Sequence, residues 1–96
     1  MLKQLFGLGP KVDTAALIAN GAVVVDVRTK QEFASGHVKG SVNIPLDVLS
    51  SKMQELPKDK AIITCCASGM RSASAKSILL NNGFKEVYNG GSWRSI

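Results

Sequence analysis

The chain has 96 residues, 45% of them hydrophobic and 20% charged, with twelve Lys/Arg against seven Asp/Glu for a formal charge of +5. That length holds one domain and buries about two thirds of the surface its unfolded chain exposes, and the composition excludes disordered and collagen-like classes. No apolar stretch approaches the roughly 20 residues of a membrane-spanning helix, and no two basic residues are adjacent, so the charge is a general field favouring small anions or an acidic partner protein, not a nucleic-acid stripe.

Residues 1–11 read as an N-terminal arm ahead of a domain over 12–96. The arm carries Phe6 and Leu8 but lacks the sustained apolar core and small-residue cleavage site of a leader, which makes the cytoplasm the expected location. Asp13 is placed to cap a short helix over Thr14–Ala19 that Asn20-Gly21 ends. Residues 22–27 read as a buried strand, because their β-branched residues run without alternation. A helical turn or two follows over 30–35, and a second strand over 41–44 is stopped by Pro45.

Leu46, Leu49, Met53 and Leu56 fall on one face of a helix running to about Glu55. After a charged turn at 57–60, residues 61–64 supply a third strand. A helix over 72–82 turns Ala75, Ile78 and Leu79 inward and ends at Gly83, and 86–89 form the last strand. Strands separated by helical segments imply a three-layer α/β fold, with right-handed crossovers and a small parallel sheet covered by helices on both faces. Ligands bind such sheets beyond the carboxyl ends of the strands, where Asp26 and Cys66 both emerge.

The segment Cys65-Cys66-Ala67-Ser68-Gly69-Met70-Arg71 stands where the third strand gives way to the long helix. A thiol at that junction faces backbone N–H groups and the positive end of a helix, the surroundings that make a cysteine ionise readily. Arg71 adds a cation, the N–H groups of 67–71 can curl into an anion nest, and Gly69 permits a positive φ in that curl. A disulfide between the two cysteines is disfavoured: neighbouring alpha carbons lie about 3.8 Å apart, and ordinary bridges want roughly 4.4 Å or more. Free thiols fit a reducing compartment.

Between Asp26 and Pro45 the chain reads DVRTKQEFASGHVKGSVNIP, which resembles the first signature of the rhodanese family. Residues 63–72, ITCCASGMRS, are similar to that family's active-site loop, and Asn89-Gly90-Gly91-Ser92-Trp93 resembles its closing signature. The resemblance covers roughly residues 12–94, with its three motifs in the family's order, and the length suits a single-domain member. It implies a sulfurtransferase in which a loop cysteine takes the outer sulfur of thiosulfate or another donor, holds it as a persulfide and passes it to cyanide or an acceptor thiol. By position that cysteine is Cys66, with Ala67, Ser68, Gly69, Met70 and Arg71 as the substrate-binding loop.

The register needs an argument, because five residues separate Cys65 from Arg71 and four separate Cys66 from it. The longer count is the spacing of protein tyrosine phosphatases and related arsenate reductases, whose wider nest holds a tetrahedral oxyanion. The flanking signatures and the absence of an identifiable general-acid aspartate favour Cys66. Cys65 then reads as a small core residue facing away from the pocket; a role in resolving or protecting a Cys66 persulfide rests on adjacency alone.

The remaining polar residues read as supports. Arg71 either forks onto the sulfonate of thiosulfate or ties the loop to a carboxylate. Asp26, expected half buried, braces a loop by accepting from backbone N–H groups or Arg28, and Arg28 is spaced to pair with Glu32. His37 is the only histidine and lacks the partners of a metal site; neither metal nor cofactor is expected. The loop interior, Ala67 to Met70, carries no charge, which predicts weak thiosulfate binding and a bulkier or protein-bound persulfide donor. Three classes compete: the sulfurtransferase, a phosphatase or arsenate reductase using Cys65, and a silent rhodanese-like interaction module.

Overall fold

Four short strands rich in valine and isoleucine make the centre of the molecule: β1 (Val23–Asp26), β2 (Val42–Asn43), β3 (Ile62–Cys66) and β4 (Val87–Ser92). All pair in parallel in the order β2-β1-β3-β4, as uninterrupted β-branched runs require when both faces are covered. The structure, a computed structural model, describes residues 13–96; the arm expected over 1–11 lies outside the described residues. The helices are α1 (Thr14–Ala19), α2 (Lys30–Ala34), α3 (Leu49–Lys52) and α4 (Met70–Asn81).

Alternation along β1 and β3 divides the interior in two. Val25, Val27, Ile62 and Cys66 share one cluster with Leu49 of α3 and Ala75 and Leu79 of α4. Val24, Ile63 and Cys65 form the other, packed against Leu17 of α1, Trp93 and Ile96. Parallel order with both faces covered matches the three-layer α/β expectation, and the site falls where the chain reverses direction across the sheet, between the carboxyl ends of β1 and β3.

Several local expectations change: the last strand runs on to Ser92 instead of ending at 89, and the long helix begins at Met70 instead of 72. The helix expected from Leu46 to Glu55 is a short α-helix flanked by 3-10 turns at Leu46–Val48 and Met53–Glu55. Its apolar face is as expected, with Leu49 and Leu56 buried and Leu46 and Met53 packed against them, but Ser51 Oγ donates to the Val48 carbonyl at 2.9 Å, the local bonding by which serine competes with a regular helix. The third strand runs on through both cysteines, so the loop starts at Ala67. β3 and β4 slip register between Thr64 and Cys66, and Gly90 sits beside that slip: a Cβ there would lie 2.8 Å from Ile63 Cγ2 and 3.1 Å from the Thr64 carbonyl oxygen.

Candidate active site

Consecutive residues of a strand point to opposite faces, and the two cysteines do so. Cys65 is fully buried (0% exposed) beside Val24 and Ile63. Burial, with the Asp26 carboxylate behind it, pushes its thiol up to about 12. Cys66, 1% exposed, lies on the other face under the loop and the start of α4. Its sulfur receives the Gly69 N–H at 3.0 Å and the Ser72 N–H at 3.4 Å. Burial on its own would raise this thiol; the Ser72 hydroxyl and the N–H groups of Ser72, Gly69 and Ser68 outweigh it and bring Cys66 down to about 7.

The loop has the shape this requires. Gly69 takes φ 104° at the N-cap of α4, a left-handed conformation that a side chain disfavours, and thereby turns its N–H onto the sulfur. Ala67, Ser68 and Met70 are exposed at the rim, Met70 at 79%. The expected nest over 67–71 is thus centred on Gly69 and reaches one residue further, to Ser72.

Ser72 and Asn89 are the site residues that sequence reasoning missed. The Ser72 hydroxyl, 3.5 Å from Cys66 Sγ, donates to Asn89 Oδ1 at 2.6 Å. Asn89 Oδ1 also accepts the Gly91 N–H at 2.9 Å, and Asn89 Nδ2 donates to the Gly69 carbonyl at 3.1 Å. One side chain on β4 therefore holds both the loop and the helix start. The signals were present: Ser72 follows Arg71 directly, and Asn89 opens the closing signature.

Arg71 does not stand free over the sulfur. Its Nη1 and Nη2 donate to Glu32 Oε1 and Oε2 at 2.7 and 3.0 Å. Glu32 also belongs to a capping box: Thr29 N–H donates to Oε1 at 2.9 Å while the Glu32 N–H donates to Thr29 Oγ1. The Arg71 fork first, and then the Thr29 N–H, hold the Glu32 carboxyl down to about 2.

This corrects the expected Arg28–Glu32 pair, since Arg28 reaches only the Glu32 carbonyl, at 3.2 Å. Its charge partner is Asp26, which is fully buried instead of half buried. Arg28 Nε and Nη2 donate to the Asp26 carboxylate at 2.6 to 3.0 Å, and the Arg28 N–H donates to Oδ1 at 3.0 Å. Nη2 also donates to the Gly36 carbonyl at 2.7 Å, and the guanidinium lies 4.6 Å from the Trp93 ring centre. The pair braces the segment from β1 through α2, and so places Glu32 where it meets Arg71. His37 Nδ1 donates to the Phe33 carbonyl at 2.7 Å and its ring stacks on that of Phe33, outside the cysteine cradle.

The Rhodanese-like domain family model matches residues 12–94. The uncharacterized protein YqhL of Bacillus subtilis is 40% identical over 68 residues, covering 71% of this chain and 54% of its own length; this chain spans about half of that relative. A protein named thiosulfate sulfurtransferase GlpE from Pseudomonas syringae pv. syringae is 37% identical over 80 residues, covering 83% of this chain and 76% of that one. Among solved structures, the human single-domain sulfurtransferase TSTD1 matches with a TM-score of 0.80 at 25% identity, over 91% of this chain and 94% of that one. A rhodanese with anions from E. coli matches with a TM-score of 0.74 at 29% identity, over 79% and 92%.

Proposed function

The chain belongs to the rhodanese-like domain family, and within it we propose a sulfurtransferase that carries sulfane sulfur as a persulfide on Cys66. The observation that carries this reading is the contrast between two neighbouring thiols: Cys66 accepts the Gly69 and Ser72 N–H groups beside the Ser72 hydroxyl, whereas Cys65 is enclosed in an apolar cluster whose burial raises its thiol. A thiolate is the competent nucleophile toward sulfur, so at neutral pH the chemistry falls to Cys66.

With thiosulfate as donor, the Cys66 thiolate forms a bond to the outer sulfur, the bond from that sulfur to the sulfonate group breaks, and sulfite leaves with the electron pair. The terminal sulfur of the resulting persulfide carries the negative charge, next to the N–H groups of Gly69 and Ser72 that held the thiolate. Cyanide or a thiolate acceptor then takes that sulfur, and Cys66 returns as the thiolate. No external oxidant or reductant enters. Ala67, Ser68, Gly69, Met70 and Arg71 form the donor-facing loop, and Asp26 and Arg28 support it through α2. The free thiols and the lack, among the described residues, of a helix long and apolar enough to cross a membrane agree with action in a reducing cytoplasm.

Intact-mass measurement after thiosulfate treatment tests the assignment. Wild type and Cys65→Ser are expected to gain one sulfur atom and Cys66→Ser none. No gain from any donor, together with hydrolysis of p-nitrophenyl phosphate that Cys65→Ser abolishes, would assign the longer register instead.

A further inference from the structure

Arg71 is the one guanidinium of the loop, and both of its terminal nitrogens are bonded to Glu32. Glu32 is itself fixed. Its Oε1 accepts from the Thr29 N–H and hydroxyl at 2.9 and 3.1 Å, so turning the carboxylate away from Arg71 also opens the cap of α2. A cavity of about 280 Å³ abuts the pair, walled by Val27, Thr29, Pro45, Leu46, Asp47 and Arg71. Among the described residues Arg71 is the one cation in that wall, and Glu32 neutralises it. The neighbouring cavity, which shares Thr29, Pro45 and Asp47, is lined also by Lys30 and Lys52, so the cation that is withheld is the one at the loop, Arg71.

We propose that Glu32 is a charge filter at the mouth of the loop, which withholds Arg71 from oxyanions and favours an alkyl persulfide with a neutral or cationic body over the thiosulfate dianion. The proposal deepens the sulfur-transfer reading and rests on it. A thiosulfate sulfonate must displace Glu32 from the fork or stand beside the Glu32 carboxylate with Arg71 already paired. An alkyl persulfide R–S–SH meets neither obstacle. The Cys66 thiolate bonds to its outer sulfur, the S–S bond of the donor breaks, and R–S⁻ leaves with the electron pair while the proton stays on the transferred sulfur, so atoms and charge balance without a further reactant. Its R group has the adjoining cavity to occupy.

Glu32→Gln tests the filter without removing the cap, since glutamine also serves at the third position of a capping box. Two ratios are read. One is the rate of Cys66 alkylation by iodoacetate over that by iodoacetamide, in which the thiolate fraction cancels and Cys65 takes no part. The other is kcat/KM for thiosulfate over kcat/KM for cysteine persulfide. Both are expected to rise about fivefold in Glu32→Gln, the scale of one charge removed from a half-exposed site, and to fall back toward wild type in Glu32→Gln/Arg71→Gln. An unchanged alkylation ratio in Glu32→Gln overturns the filter, whatever the sulfur-transfer rates. A raised alkylation ratio with no sulfur uptake from either donor in wild type supports the filter as a property of the loop and sinks the sulfur-transfer reading instead.

Discussion

Cys65 and Cys66 share a peptide bond and nothing else of their surroundings: one lies in the apolar cluster under Trp93, the other against the N-terminal turn of α4. The pleat of β3 separates them, and the two thiols are driven in opposite directions from an ordinary value of 9.0, to about 12 and about 7.

That divergence predicts a two-sided dependence of stability on pH. Cys66 ionises more easily folded than unfolded, so its contribution is full above about 9 and is lost as pH falls through about 7. Cys65 is the reverse: its thiol stays protonated in the folded chain after the unfolded one has ionised, so stability falls as pH rises from about 9 toward 12. Urea unfolding at a series of pH values is expected to show Cys66→Ser losing the rise between 7 and 9, on the order of 2 kcal/mol. Cys65→Ser is expected to lose the decline above 9. Iodoacetamide reactivity of the wild type should follow one midpoint near 7, and a midpoint near 9 would contradict the cradle.

Cys65→Ser also decides whether the buried thiol has any redox part. The substitution puts a hydroxyl into an apolar cluster, which costs about 1 kcal/mol or more if it finds no partner. Turnover per folded molecule and loss of activity in peroxide are expected to match wild type. Faster peroxide inactivation of the folded variant would show that Cys65 protects Cys66.

Much of this was legible because it is local. A run of valines, a proline after Ile44, glycine at the loop's last turn and the spacing to Arg71 each act within a few residues, and they place the strands and the cradle. The partners of charged side chains were less legible, since a carboxylate can answer to any arginine that the fold brings near. Arg28 was spaced to pair with Glu32, yet the buried Asp26 carboxylate lies two residues away on the same strand end and takes it, which leaves Glu32 to reach Arg71 across 39 positions of chain. Asn89 escaped for the same reason: its contacts with Gly69 and Ser72 form only when β4 lies beside β3.

Asp26 and Arg28, 0% and 3% exposed, predict a large cost of mutation on either side of the pair. Asp26→Asn leaves a cation and Arg28→Met a carboxylate buried without its counter-charge, a situation that typically costs about 3 to 5 kcal/mol. Chemical denaturation is expected to show a loss of that order in both variants. Because Arg28 also anchors the Gly36 carbonyl, either variant should loosen α2, read as faster amide exchange over residues 30–34. Sub-kilocalorie losses in both would mean that the pair does not brace this segment.

Ser72 predicts a change in pKa without a change in fold. While Cys66 is a thiol, it donates toward Ser72 Oγ at 3.5 Å and the hydroxyl donates to Asn89 Oδ1 at 2.6 Å. A thiolate can only accept, so the hydroxyl is expected to rotate from Asn89 to the sulfur, and Asn89 Oδ1 then keeps the Gly91 N–H as its donor. In Ser72→Ala that third donor is gone while the N–H groups of Gly69 and Ser72 remain, and no acceptor is stranded. Hydrogen bonds to charged groups are worth about 1.5 to 3 kcal/mol, and the 3.5 Å separation puts this one at the lower end. The alkylation midpoint of Cys66 is therefore expected to rise by about one unit from its value near 7. The rate above pH 9 should stay close to wild type, because the thiolate is then fully formed in both. A midpoint that does not move would mean that the hydroxyl stays on Asn89 and that the backbone N–H groups hold the sulfur alone.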